Sequence, residues 1–301
     1  MKKYLLLFSL LLTFIVSCND EKNNTSPLVL QTDFSLKDSA VASMYGVAIS
    51  VDNRLGIYDL THEIPPFNIW EGALRLNEAA RYWPKGTVFV SVVDPGVGTE
   101  RKSVVLKTKT GHYFVTPDNG TLTFIAESMG VEEVREIDEA VNRLTNSQES
   151  YTFHGRDVYA YTGAKLAANK ITFEQVGKSL GTNVNMIDYV RPKFENGVFY
   201  ANIPILDVQY GNVWTSLPRQ VMLDNGVQVG DTLNVKIYNA DTLVWTGDVP
   251  LVNTFGDVKE NENLAYFNSE LKFALAINMG SFSQRYQVFS GPSWRIEIVK
   301  K

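Results

Sequence analysis

An alternation runs through the first half of the chain and limits what it can become. From Pro27 to about Ser179 the apolar runs LVLQTD, LGIYDL and TVFVSVVD are separated by helix-length stretches, and SVVLKTK, HYFVTP and a helix from Thr121 follow. This is the βαβ rhythm of a mostly parallel, helix-covered sheet. In such sheets ligands bind beyond the carboxyl ends of the strands, and here those ends carry Asp33, Asp59, Asp94 and Asp118. A rim of carboxylates repels phosphates and favours cations, amines and sugar hydroxyls.

After roughly Gly181 the pattern changes to short strands with Gly, Asn and Asp turns, and helical periodicity is lost. The fold class expected is α/β: an N-terminal, mostly parallel α/β sandwich domain over residues 27–182, a linker over 183–190, and a smaller antiparallel β-barrel domain over 191–301.

The first residues read differently. Lys2 and Lys3 precede an apolar run from Tyr4 to Val16, too short for a comfortable membrane span, and Ser17 stands before Cys18, the single cysteine. Residues 1–17 therefore read as a secretory signal and 18–26 as a polar tether. The tripeptide Ile15-Val16-Ser17 resembles a bacterial lipobox, which makes Cys18 a lipidation site and the protein exported and anchored to a bacterial membrane through lipid alone; an ordinary cleaved signal is the alternative. Without the two signal lysines, 26 basic residues face 33 acidic ones, a net of −7, which argues against nucleic acid as a partner.

Three segments crowd polar residues among glycines: TDFSLKD, DPGVGTER and TFHGRD. In DPGVGTER a strand delivers Asp94 to the rim, Pro95 ends the ladder, and Gly96 and Gly98 permit a tight loop that brings Arg101 back toward Asp94. The plain alternative is a turn closed by a salt bridge, since GVGT lacks the GK[ST] of a phosphate loop. His154 precedes Gly155 and a helix from about Arg156 to Ala168; at a helix N-terminus its protonated form is disfavoured, although a lone histidine is more often a cap or surface residue. His62 and His112 fit no zinc spacing with it, and no metal site is implied.

The segments TDFSLKD, IYDLTHEIPPFNIWEGA, GTVFVSVVDPGVGTER, YFVTPDNGTL and TFHGRDVYA, continued by LDVQYGNVWT, TFGDV and LAYFNSELKFALAIN, resemble in order and spacing the S-adenosylmethionine hydroxide adenosyltransferases, relatives of the fluorinases and chlorinases. The likeness covers nearly all of the chain after the signal. It implies hydrolysis of S-adenosyl-L-methionine (SAM) to adenosine and methionine, with catalytic roles falling on Asp94, Arg101 and His154. Substrate contacts implied by the same motifs are Asp33 to the ribose hydroxyls, Asp38 and Asp207 to the methionine ammonium, Asn212 to adenine, Phe67 and Phe255 to the ribose and adenine faces, and Ser269 to the methionine carboxylate. No cofactor is implied, SAM being the substrate, and the working unit implied is a homotrimer with sites at subunit interfaces.

The halogenase branch has tyrosine in place of Asp94 and His154 and serine in place of Gly155, so the match is to the hydroxide branch. Departures from the halogenase pattern are Glu270 where an arginine follows the serine, Ala40 where a second hydroxyl lies near the amine, and Ser35 where a glycine is usual. Methionine departs from a sulfonium as a neutral thioether, so the site needs an oriented nucleophile and no general acid. Water has a pKa near ~15.7, and a positioned base contributes about 10²–10⁴-fold. Rival readings are halide transfer to the same carbon, a lipoprotein that captures adenosine or SAM without turning it over, and a structural surface domain.

Overall fold

The computed structural model describes residues 25–301; Cys18 and the apolar run before it lie outside the described residues. The first domain is built on one seven-stranded sheet: β1 (Leu28–Thr32), β2 (Ile57–Thr61), β3 (Val88–Val92), β4 (Ser103–Thr108), β5 (Tyr113–Pro117), β6 (Val131–Glu136) and β7 (Ser179–Gly181), in the spatial order β2-β1-β3-β5-β4-β6-β7. Strands β2, β1, β3 and β5 run parallel, and β4, β6 and β7 continue the sheet antiparallel. Only four residues connect β4 to β5, a hairpin length that cannot make a parallel crossover.

The central strands read as unbroken apolar runs because both faces are covered. On one face Leu28, Leu30, Val90 and Val115 pack against α1 (Ala40–Val51) and the helical segment beginning at Gly155. On the other, Val29, Phe89, Leu106 and Phe114 meet Leu76 and Ala80 of α2 (Ile69–Ala80) and Ile125 of α3 (Thr123–Met129). Helix α2 starts where Asn68 accepts a hydrogen bond from Glu71 N at 3.0 Å, a side-chain cap that satisfies one of the free amides of its first turn. The helix expected from Arg156 opens instead as a π-helical turn, Gly155–Ala160, and becomes α4 only over Tyr161–Ala167. Wide turns of this kind are frequent at functional sites.

In the second domain β8 (Lys193–Glu195), β9 (Val198–Asn202), β10 (Ile205–Leu206), β11 (Val213–Pro218), β12 (Thr232–Asn239), β13 (Thr242–Pro250), β14 (Asn263–Phe267), β15 (Lys272–Ile277) and β16 (Trp294–Lys300) form two antiparallel sheets, β10-β11-β15-β14 and β13-β12-β16-β9-β8. They enclose one core in which Phe199, Leu217, Ile237, Phe273, Phe282 and Ile296 are buried. Two short helices, α5 (Arg219–Asp224) and α6 (Phe282–Tyr286), complete it.

The segment between the domains is fastened to α3. Asn185 donates to the Asp118 carboxylate, Ile187 N donates to Thr123 Oγ1 at 2.8 Å, and Tyr189 and Arg191 both donate to Glu127. Trp70 of α2 stacks edge-on against Phe124 and Tyr189 and donates from its indole nitrogen to Pro204 O at 2.8 Å. Among the described residues no helix is long and apolar enough to cross a membrane.

Candidate active site

Asp33, Asp94 and Asp118 follow the ends of β1, β3 and β5, whereas Asp59, expected at a strand end, lies within β2, and the four have separate fates. Asp118 is taken up by the segment between the domains, and burial raises its carboxyl above its ordinary range against the opposing bond from Asn185 N. Asp59 accepts from His62 Nε2 at 2.8 Å and from the Tyr45 hydroxyl at 2.6 Å, and Asp33 accepts from Phe67 N at 2.9 Å. Asp94 alone of the four lies against a guanidinium.

That pairing follows from the loop. Strand β3 ends at Val92, and the glycine-containing turn after it brings Arg101 back over Asp94. Gly98 sits at φ +77°, where a Cβ would come within 3.0 Å of Tyr151 O, so only glycine fits the turn without strain. Arg101 Nε donates to both Asp94 oxygens at 3.0 Å and Nη2 donates to Oδ2 at 2.5 Å; the side chains are 11% and 5% exposed. Arg101 Nη2 also reaches His154 Nδ1 at 3.1 Å, and Nη1 donates to Ser103 Oγ at 3.0 Å, itself 3.1 Å from the buried Tyr159 hydroxyl. Burial works against the Arg101 charge, but the bonds to Asp94 outweigh it and the guanidinium holds its proton more tightly than usual.

His154 is 7% exposed. Burial lowers its basicity below that of an ordinary imidazole, and Arg101 and Arg143 add to this against the pull of Glu139. An arginine has no acceptor, so Nδ1 must accept from Arg101, and the neutral ring then carries its hydrogen on Nε2. Nε2 is buried and bonds to no protein group.

The second domain holds a different arrangement. Asp207 opens a tight turn: its Oδ1 accepts from Gln209 N at 3.1 Å and Tyr210 N at 3.3 Å, and its Oδ2 accepts from Asn212 Nδ2 at 3.2 Å. The bond to a carboxylate fixes the Asn212 amide orientation and leaves Oδ1 buried without a partner. Phe255 is presented by a short turn closed reciprocally by Thr254 and Asp257, and its ring lies 5.0 Å from that of Tyr266. Asp207, Asn212 and Phe255 line one cleft of 860 Å³, together with Glu71 of the first domain.

The expected residues thus fall into groups. Asp94, Arg101 and His154 meet in the first domain, Asp33 meets Phe67, and Asp207, Asn212 and Phe255 share the cleft. Asp38 is exposed and bonds to Ala40 N at 2.8 Å, and Ser269 sits in the exposed turn between β14 and β15 beside Glu270, which pairs with Lys272 at 2.8 Å. Among the described residues no hydrogen bond or ion pair joins the Asp94 cluster to the cleft. Ser103 and Tyr159, which brace Arg101, were not singled out from the sequence; a tyrosine in an apolar stretch needs a partner for its hydroxyl, and that was the available signal.

Comparison with known proteins bears on these groups. Residues 28–177 match the SAM hydroxide adenosyltransferase N-terminal domain and residues 201–295 its C-terminal domain. The chain belongs to this family. An (R)-S-adenosyl-L-methionine hydrolase of Salinispora tropica is 31% identical over 88% of the chain and 95% of its own length. A hydrolase of the same name from Methanocaldococcus jannaschii is 43% identical over 47% of the chain, a stretch spanning about half of that protein, 53%. A fluorinase of Actinoplanes sp. is 28% identical over 89% of the chain and 96% of its length. An uncharacterized conserved protein of Thermotoga maritima, 35% identical, superimposes with a TM-score of 0.76 over 90% of the chain and 99% of its own.

The relatives correct one expectation, that of an exported protein lipid-anchored at a membrane face. They are named for chemistry on a small molecule and not as exported or anchored proteins, and the family match begins at residue 28, beyond Cys18. An apolar run ahead of a cysteine is a pattern of composition, and nothing in the shared domains requires it.

Proposed function

We propose that this chain hydrolyses S-adenosyl-L-methionine to adenosine and L-methionine by attack of a water oxygen on the ribose 5′ carbon. The observation that carries the reading is the buried Asp94–Arg101–His154 cluster within a member of this family. Arg101 consumes the acceptor nitrogen of His154, which leaves Nε2–H as a donor, so the imidazole holds the nucleophilic oxygen and Asp94 is the acceptor for its proton. As the oxygen–carbon bond forms, the carbon–sulfur bond breaks, its electron pair stays on sulfur, and methionine departs as a neutral thioether. Aligning the water with the carbon–sulfur bond supplies the rest of the acceleration.

Asp33 is proposed to hold the ribose hydroxyls beside Phe67, and Asp38 and Asp207 the ammonium. In the cleft, the free buried Oδ1 of Asn212 is an acceptor suited to the adenine amine, with Phe255 against the base. Ser269 is assigned to the methionine carboxylate. Halide transfer fits less well: the serine of the halogenase branch would place a Cβ at Gly155 3.0 Å from the Phe34 ring.

The separation of the two groups supports a homotrimer in which one chain supplies the Asp94 cluster and its neighbour the cleft. Large apolar side chains are exposed beside both, Val208 at 86% and Met279 at 81% around the cleft, Phe67 and Tyr151 near the cluster. Large apolar side chains exposed beside both groups fit burial by another chain. The reaction is tested by incubation with SAM in oxygen-18 water: adenosine carrying the heavy atom at its 5′-hydroxyl is expected, and unlabelled adenosine, a halide-dependent product, or intact SAM after long incubation would each overturn the reading.

A further inference from the structure

His62 was set aside in the sequence as a histidine with no metal partners, yet it lies at the carboxyl end of β2, beside the end of β1. It is 3% exposed and Thr32 is fully buried. His62 Nε2 lies 2.8 Å from Asp59 Oδ1, and Nδ1 lies 2.8 Å from Thr32 Oγ1. A carboxylate accepts, so Nε2 carries a hydrogen, and in the neutral ring Nδ1 accepts and the Thr32 hydroxyl donates. The remaining lone pairs of Thr32 Oγ1 accept from Phe34 N at 3.2 Å, while the backbone oxygen of His62 accepts from Ser35 N at 2.8 Å. One residue thereby grips the Asp33–Phe34 turn from both sides.

The gripped turn is strained. Ser35 has φ +56° and Phe67, whose amide donates to Asp33, has φ +67°, both in the left-handed region that residues with a Cβ avoid. Such conformations persist where the surroundings over-determine them. Phe34, next in the turn, stacks edge-on to Phe153 with ring centroids 5.8 Å apart and closes over Gly155, beside His154. The turn therefore borders both the proposed ribose contact and the reacting cluster.

We infer that His62 is a positioning residue for substrate binding: acting through Thr32, it holds the Thr32–Ser35 turn in the strained form that presents the Asp33 carboxylate. The inference rests on the reading of Asp33 as a substrate contact. A second threonine–histidine pair provides the internal comparison. His112 Nδ1 lies 2.9 Å from Thr110 Oγ1 and Nε2 lies 2.9 Å from Trp83 O; His112 is buried like His62, Thr110 is exposed, and the pair stands ahead of β5, at the opposite end of the parallel strands.

The experiment is steady-state hydrolysis of SAM by the full chain and its variants, with melting temperature measured alongside. Thr32→Val keeps the shape and removes the hydroxyl; KM is expected to rise about 3- to 10-fold, the scale of one hydrogen bond, with kcat within about 2-fold. Thr32→Ser should restore KM, and His62→Ala combined with Thr32→Val should raise it no further than His62→Ala alone. Thr110→Val should lower the melting temperature without moving KM. Unchanged KM in Thr32→Val while Asp33→Ala raises KM overturns the inference and spares the reading of Asp33. Unchanged KM in Asp33→Ala overturns that reading itself.

Discussion

The polar groups of the two domains are built to opposite specifications. In the first domain His154 is buried and the side chains of Asp94 and Arg101 are only 5% and 11% exposed, and Arg101 spends its donors on Asp94, His154 and Ser103, so each side chain has one arrangement. In the second, Asp207 and Asn212 face an 860 Å³ cleft with Val208 and Met279 almost wholly exposed at its margin. A fixed, largely enclosed cluster suits a reaction that redistributes charge, because its dipoles need not reorganise as the bond breaks. An open cleft suits recognition, where apolar walls and a few aimed polar atoms define the ligand. The difference teaches that the two domains are suited to different parts of the proposed reaction: the first holds the fixed Asp94 cluster and the Asp33–Phe67 pair, the second an open cleft.

Breaking the chemical half has the largest expected effect. Asp94→Asn preserves the outline of the pair and removes the proton acceptor, and turnover is expected to fall by roughly 10²-fold or more while SAM still binds. Asp94→Ala should add a loss of stability of about 3–5 kcal/mol, because it leaves the Arg101 charge buried without its partner. Turnover and chemical denaturation, measured on both variants, separate the two effects. Equal turnover in wild type and Asp94→Asn would remove Asp94 from the mechanism.

A smaller effect sharpens the division within that half. If His154 serves as a donor, His154→Gln, whose amide can donate but is not a base, should retain turnover within about 10-fold of wild type, whereas His154→Ala should lose about 10²-fold. Loss of equal size in both would make the imidazole the base. The pH dependence has a definite sign. Only the neutral ring can accept from Arg101, and its folded-state pKa lies below the ordinary 6.5, so kcat should stay level as pH falls through 6.5 and decline only below it. The unfolded chain takes up the proton first, so stability too is present above about 6.5 and falls as pH drops from there through the folded-state value.

How much of this was legible before the structure depends on where each signal resides. The strands of the first sheet announce themselves because residues such as Val29 and Leu30, neighbours on opposite faces, are both buried and the apolar run is continuous. The reversal of β4 was less visible: the four residues before Tyr113 carry a hairpin length that the surrounding βαβ rhythm obscures. Asp94 and Arg101 are seven positions apart in one glycine loop, and their pairing could be argued from the turn alone. His154 lies 53 positions beyond Arg101, and only family resemblance joined it to them. Its neutrality was argued from a helix dipole, but the segment after it opens as a π-helical turn, and burial is the main cause of its lowered basicity. Thr32, Ser103 and Tyr159 read as ordinary strand and helix residues, and His62 only as a histidine without metal partners, because their roles are hydrogen bonds across long sequence separations.

The most direct test of the central claim, that the chemical half of one chain works with the recognition half of another, is complementation. Asp94→Asn and Asp207→Ala proteins, each inactive, are mixed in equal amounts under conditions where subunit exchange is shown by mass spectrometry. With sites between chains, about one quarter of the sites in a random mixture draw an intact Asp94 from one chain and an intact Asp207 from its neighbour, and activity should return to about that fraction of wild type. With both halves drawn from a single chain, every site keeps one lesion, and exchange without recovered activity would contradict the account.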